Sequence, residues 1–132
     1  MNSEQCFLDG AVCSLVQHDK FRAIHELIYN SRVFYGFSKL QEFEKEVLGR
    51  ENQQSTGIGH GVAVAHGCSE EAQSVLVALG ISKRGIDYNA IDGKPVFLLF
   101  LIASPPVCHE EYLITLSVLV KLIRRKEFRR RL

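Results

Sequence analysis

The stretch Arg50-Glu51-Asn52-Gln53-Gln54-Ser55-Thr56-Gly57-Ile58-Gly59-His60-Gly61-Val62-Ala63-Val64-Ala65-His66-Gly67 gathers residue types that handle anions. His66 stands just past a short apolar segment, Val62-Ala63-Val64, so a rigid buried element is expected to hold it. Gly67 permits tight backbone geometry there and close approach by another protein. Imidazole is a nucleophile near neutral pH because a substantial fraction of it is unprotonated. The glycines can present backbone N–H groups to an anion, and Ser55, Thr56 and Arg50 add hydroxyl and guanidinium donors, a set compatible with phosphate. Neither the GxxxxGKS/T pattern of a nucleotide-binding loop nor GxGxxG in a strand–turn–helix setting is present, so nothing here demands ATP, NAD or a metal. By local chemistry alone, a single histidine beside glycine is more often structural than catalytic.

Other chemistries are weaker. His60, His66, Cys68, Cys108 and His109 are zinc-ligand types, but no pair has a familiar finger spacing, and neither a metal nor a cofactor is expected. Cys68 beside His66 reads as an ordinary inert cysteine, and His18 and His25 as surface residues of the first helical region. The four cysteines form no CxxC pair, and no leader-like segment opens the chain, which fits a reducing cytoplasm. Lys121, Arg124, Arg125, Lys126, Arg129, Arg130 and Arg131 crowd the C-terminus, although the formal charge of the whole is only +1. A basic helix end complements the helix dipole and is commonly just solvated, so no nucleic-acid partner is expected. The longest apolar run, eight residues from Val96 to Ala103, falls short of the roughly 20 that span a bilayer, which excludes direct membrane insertion.

The elements that must position these groups can be traced along the 132 residues. Phe21, Ile24, Leu27 and Ile28 recur at helical spacing after Asp19, a natural N-cap, which predicts a helix from about Lys20 to Tyr29. Ser38 with Gln41 resembles a capping box for a second helix with Leu40, Phe43, Val47 and Leu48 as its apolar stripe and Gly49 as its stop. A polar loop from Glu51 to Thr56 and the short Val62–Val64 strand follow. Ser74 to Ile81 and Val96 to Ala103 read as strands buried on both faces, with a turn at Asp92-Gly93 before the second. Beyond Pro105 and Pro106, the residues Leu113, Leu116, Leu119, Val120 and Ile123 predict a long amphipathic helix. With 46% hydrophobic and 23% charged residues and no internal linker, residues 1–132 are expected to form one α/β domain, a sandwich of a central mixed β-sheet flanked by helices.

The string from Arg50 to Gly67 closely resembles the active-site segment of the fructose/mannitol-type enzyme IIA family of the bacterial phosphotransferase system, including its nitrogen-regulatory branch. There an Arg-Glu pair precedes a Ser-Thr-Gly-Ile-Gly run and an Ala-x-Pro-His-Gly ending. The resemblance runs over almost the full chain: Phe43 to Glu51 looks like the helix leading into the Arg-Glu pair, Gly85 to Val96 like a strand pair of the nitrogen-regulatory branch, and Phe100 to Pro105 like the strand end that follows. It implies that His66 takes a phosphoryl group from a histidine phosphocarrier protein and passes it to a partner, either a regulatory target protein or a IIB component of sugar uptake. It also implies that Arg50 and Thr56 position phosphoryl oxygens, with Ser55 and Gly57 as neighbours. The Gly85–Pro95 block and the lack of fused transport domains favour the nitrogen-regulatory role; a phosphorylation-independent binding module is the other alternative. Three positions depart from the pattern: His60 replaces an Asn, Ala65 a Pro, and Tyr112 a second histidine at the start of the last helix. Tyr112 can donate a hydrogen bond but offers no imidazole, for which His109 or His60 can compensate.

Overall fold

The computed structural model describes residues 11–53, 55–106, 114–118 and 121. Strand β1 spans Val12–Leu15 and helix α1 Lys20–Asn30. Asp19 caps α1 as its position predicts: its carboxylate accepts from the amides of Phe21 and Arg22, both at 3.1 Å. Ala23, Ile24, Leu27 and Ile28 form the buried stripe of that helix.

Helix α2, Leu40–Gln53, differs from expectation at both ends. Ser38 builds no capping box with Gln41. Instead Glu71, from the loop after His66, accepts from the Ser38 amide (2.8 Å), the Ser38 hydroxyl (2.6 Å) and the Lys39 amide (2.9 Å). The carboxylate also sits where the helix dipole favours negative charge. At the other end α2 does not stop at Gly49 but runs one turn further, so residues 51–53 are helix and not loop. A glycine inside a helix costs about 1 kcal/mol relative to alanine, and the buried anchor of Glu51 offsets it.

Strands β2 (Gly57–Gly59), β3 (Val62–Cys68), β4 (Leu76–Ile86) and β5 (Val96–Ser104) join β1 in a five-stranded sheet ordered β1-β4-β5-β3-β2. The sheet is mixed: β1 runs parallel to β4 and β3 to β5, whereas β4–β5 and β2–β3 are antiparallel. The apolar run of β5 lies buried near its centre, as a strand covered on both faces should. Leu99, Leu101, Ala63 and Ala65 face α1 and α2, while Phe100, Ile102, Val62 and Val64 form the opposite cluster, against which Leu116 packs from the helical residues 114–118. The expected α/β sandwich is thus present, with two further strands, β1 and β2, of only four and three residues, too short to carry a periodic pattern. Between Gly85 and Val96 the chain is mostly loop rather than a strand pair: Ile86 pairs with Val96, Asp87 forms a single parallel bridge with Asp19, and the turn at Asp92-Gly93 reverses the chain, with Gly93 at φ 70°.

Candidate functional site

His66 does not stand past a strand. Strand β3 continues through it to Cys68, so Ala65 is no loop residue; it pairs with Leu101 of β5 and is fully buried. Val62, Val64, His66 and Cys68 alternate onto one face of the sheet. Gly67 points to the other face, against α2, where a Cβ atom would lie 2.5 Å from Val47 Cγ2 and 2.9 Å from Phe43 Cε1. The close approach that Gly67 permits is therefore that of helix α2, not of a second protein.

This packing brings the C-terminal turn of α2 beside His66. Strand β2 pairs with β3 only at Val62 and Ala63, which leaves the outer edge near His66 uncovered by β2. Arg50 reaches across there: its Nη1 lies 3.1 Å from His66 Nδ1 and its Nη2 3.5 Å from Cys68 Sγ. Glu46, one turn earlier on α2, accepts from Arg50 Nε at 2.9 Å and so orients the guanidinium. On the inner side of the ring, His66 Nε2 lies 2.8 Å from Ser104 Oγ, at the end of the parallel neighbour β5. His66 is only 8% exposed.

Glu51, next to Arg50, turns to the opposite side of α2 and is buried. Its carboxylate accepts from the Thr56 amide (2.8 Å) and the Thr56 hydroxyl (2.7 Å), and Lys20 Nζ pairs with it at 3.3 Å. Tyr88 OH lies 3.1 Å from Thr56 Oγ1, and the Lys20 ammonium sits 4.9 Å from the Tyr88 ring centroid. Burial, reinforced by the neighbouring Glu51 charge, pushes the Tyr88 phenol far above its ordinary pKa, so it remains a neutral donor. The Arg-Glu pair of the sequence thus divides its work: Arg50 faces His66, and Glu51 ties the following loop to the helix.

The remaining expected site residues lie on that loop. Thr56 gives its hydroxyl proton to Glu51, and Ser55 Oγ donates to the Tyr88 carbonyl at 3.1 Å while accepting from the Gly57 amide at 3.3 Å. Gly57 allows Ala90 to approach, since a Cβ there would come within 2.7 Å of the Ala90 Cα. His60 is exposed with φ 59° between two glycines of positive φ, a left-handed position in which Asn, Asp and His are enriched, and its amide donates to Asp92 Oδ2 at 3.2 Å. Tyr112 and His109 lie outside the described residues, as do Cys108 and the basic positions from 124 onward. Ser104 carries little signal in the sequence beyond a hydroxyl at the end of a buried apolar run. Among the described residues, no group of three or more His, Cys, Asp and Glu side chains is placed to hold a metal, and no helix is long and apolar enough to cross a membrane.

Residues 13–132 match the family described as phosphoenolpyruvate-dependent sugar phosphotransferase system, EIIA 2. Over 92 residues the chain is 39% identical to the PTS system fructose-specific EIIABC component of Bacillus subtilis, covering 70% of this chain and 14% of that protein. It is 29% identical over 119 residues to a nitrogen regulatory protein of Bradyrhizobium diazoefficiens, covering 90% of this chain and 77% of the relative. The crystal structure of nitrogen regulatory protein IIA-Ntr from Neisseria meningitidis superposes with a TM-score of 0.82 at 27% identity, covering 97% of this chain and 87% of that one.

Proposed function

Because the chain belongs to the EIIA 2 family of the phosphoenolpyruvate-dependent sugar phosphotransferase system, we propose that it is a phosphocarrier in which His66 accepts a phosphoryl group from a histidine phosphocarrier protein. The observation that carries this reading is the guanidinium of Arg50, 3.1 Å from Nδ1 of a histidine fixed in a buried strand. In the transfer, a new N–P bond forms on His66 as the N–P bond of the donor phosphohistidine breaks, and the donor imidazole leaves with the bonding pair. No oxidant, metal or nucleotide is needed. Arg50 supplies positive charge and N–H donors to the phosphoryl oxygens, while the strand fixes the direction of attack. Thr56, Ser55 and Gly57 contribute by shaping the loop that Glu51 and Tyr88 anchor; His60, in the turn before β3, sits at the end of the strand away from His66 and takes no part.

The acceptor is a regulatory target protein, and the role is of the nitrogen-regulatory type, carried out in the cytoplasm. Support comes from the 90% coverage of this chain by the Bradyrhizobium relative and from the Neisseria structure. The fructose-specific relative favours a second reading, in which His66 donates to a IIB component of sugar uptake.

The test is incorporation of labelled phosphate from phosphoenolpyruvate in the presence of enzyme I and the histidine phosphocarrier. Acid-labile label is expected in the wild type and absent in His66→Ala. Label retained in His66→Ala, or absent from the wild type with donors shown to be active, refutes the reading.

A further inference from the structure

Strands β1 and β4 pair in parallel as far as Leu15 and Ser82, part, and meet again at the bridge between Asp19 and Asp87. Two devices hold them apart. The Glu26 carboxylate, on α1, accepts from the amides of Val16 (2.9 Å) and Gln17 (3.1 Å) and so holds residues 16 and 17 out of the ladder. Strand β4 bulges at the same level: its pairing with β5 jumps from Ile81–Leu98 to Ile86–Val96, and within the bulge the amide of Gly85 (φ 94°) donates to Ser82 Oγ at 3.0 Å. His18 ties the far wall together, with its Nδ1–H donating to the Gly85 carbonyl at 3.3 Å and its own carbonyl accepting from the Asp87 amide at 2.8 Å. The space left is a cavity of about 360 Å³, within the size range of small-molecule sites.

Leu15, Val16 and Ile81 give this cavity apolar walls, and Lys83 and Arg84 bring two cations to it. Successive side chains of a regular strand point to opposite faces, and the bulge is what lets these two neighbours line one space. Both are exposed, and among the described residues neither takes part in a salt bridge. Glu26, the carboxylate that shapes the loop, is already engaged by two amides. We propose that the cavity binds a small amphiphilic anion, a carboxylate on a short alkyl chain: Lys83 and Arg84 take the carboxylate, and Leu15, Val16 and Ile81 take the chain. The guanidinium fork matches a carboxylate, and the methylenes that leave water add to the binding. A bare anion would leave the apolar walls wet, and a neutral apolar molecule would leave the cations unused. His66 is level with Ile102 of β5 and, through it, with Val77 of β4, so β4 and β5 stand between the phosphoryl site and a cavity that opens further along β4. The site is therefore separate from His66, and binding there does not depend on phosphoryl transfer.

The experiment is a titration of the full 15N-labelled chain with sodium hexanoate, followed by amide NMR, with acetate and hexylammonium as comparison ligands. Hexanoate is expected to shift the amides of residues 14–18 and 81–85 saturably, with half-saturation in the millimolar range of so small a ligand. Acetate, which lacks the chain, should bind about tenfold or more weakly, and hexylammonium, of opposite charge, should not saturate. The double variant Lys83→Gln with Arg84→Gln, both at exposed positions, should keep the wild-type fold and lose about tenfold or more in hexanoate affinity, the scale of a hydrogen bond to a charged group. The absence of saturable shifts at about 30 mM hexanoate, well above a millimolar Kd, overturns the proposal. So does acetate or hexylammonium binding as tightly as hexanoate, or hexanoate affinity unchanged in the double variant.

Discussion

At the scale of the residue, the site is a histidine that meets, among other groups, two side chains of opposite character. Arg50 is the charged one. Its guanidinium touches His66 and Cys68 while Glu46 holds its Nε, so the fork is already directed before any phosphate arrives. Truncating a preorganised donor of this kind typically costs about 100-fold or more in the chemical step. Arg50→Ala is therefore expected to slow single-turnover phosphoryl uptake by about that factor while leaving the thermal midpoint near that of wild type, because the Arg50–Glu46 pair is largely exposed. Arg50→Lys should recover only part of the rate, since an ammonium keeps the charge but not the planar fork. Equal rates in wild type and Arg50→Ala would remove Arg50 from the transfer step.

At the scale of the element, the contact between α2 and β3 sets the site, and Gly67 is its closest point. A methyl group at Gly67 would fall 2.5 Å from Val47, so Gly67→Ala must push α2, and Arg50 with it, off the strand. The expected loss is about 1–3 kcal/mol, typical of overpacking, measured by urea unfolding, with uptake reduced alongside. The start of α2 carries a pH signature. Hydrogen bonds from the Ser38 hydroxyl, then from the Lys39 and Ser38 amides, hold the Glu71 carboxyl below its ordinary pKa of 4.5. A carboxylate with a lowered folded pKa contributes its stability fully above the unfolded value and loses it as pH falls through the folded one. Unfolding followed from pH 7 to pH 3 should thus show a larger loss in wild type than in Glu71→Gln, which keeps the share contributed by other carboxylates held low, such as Asp92; coincident curves would remove Glu71 from the acid response. These same contacts show why the sequence was legible only in part. Helix α1 was readable because Asp19 and its apolar stripe are neighbours in the chain, and β5 because its burial is written in one continuous run. The cap of α2 was not, since its carboxylate comes from Glu71, 33 residues from Ser38. Nor was Ser104, which meets His66 across 38 residues only once β3 and β5 pair in parallel. Strand β1 is four residues long and largely accessible, so without its partner β4 it carries no strong pattern.

At the scale of the whole molecule, the chain is nearly neutral, with a formal charge of +1 at pH 7. A phosphoryl group on His66 adds about −1.5 to −2 charges and strong acceptor oxygens, enough to turn the net charge negative. The rigid frame around His66 confines the change to one place, because β3 is paired along its length with β5 and its other face is closed by α2. A partner that tells the two states apart must accordingly read charge at one end of β3 rather than a rearranged fold. Two measurements follow from this. Phosphorylation should move the wild-type protein towards the anode on a native gel near pH 8, with no shift in His66→Ala. The amide NMR spectrum should change around residues 50, 66–68 and 104 and stay the same on α1 and β1. Changes spread across α1 and β1 would mean that the sheet does move, and that a partner can recognise a conformation as well as a charge.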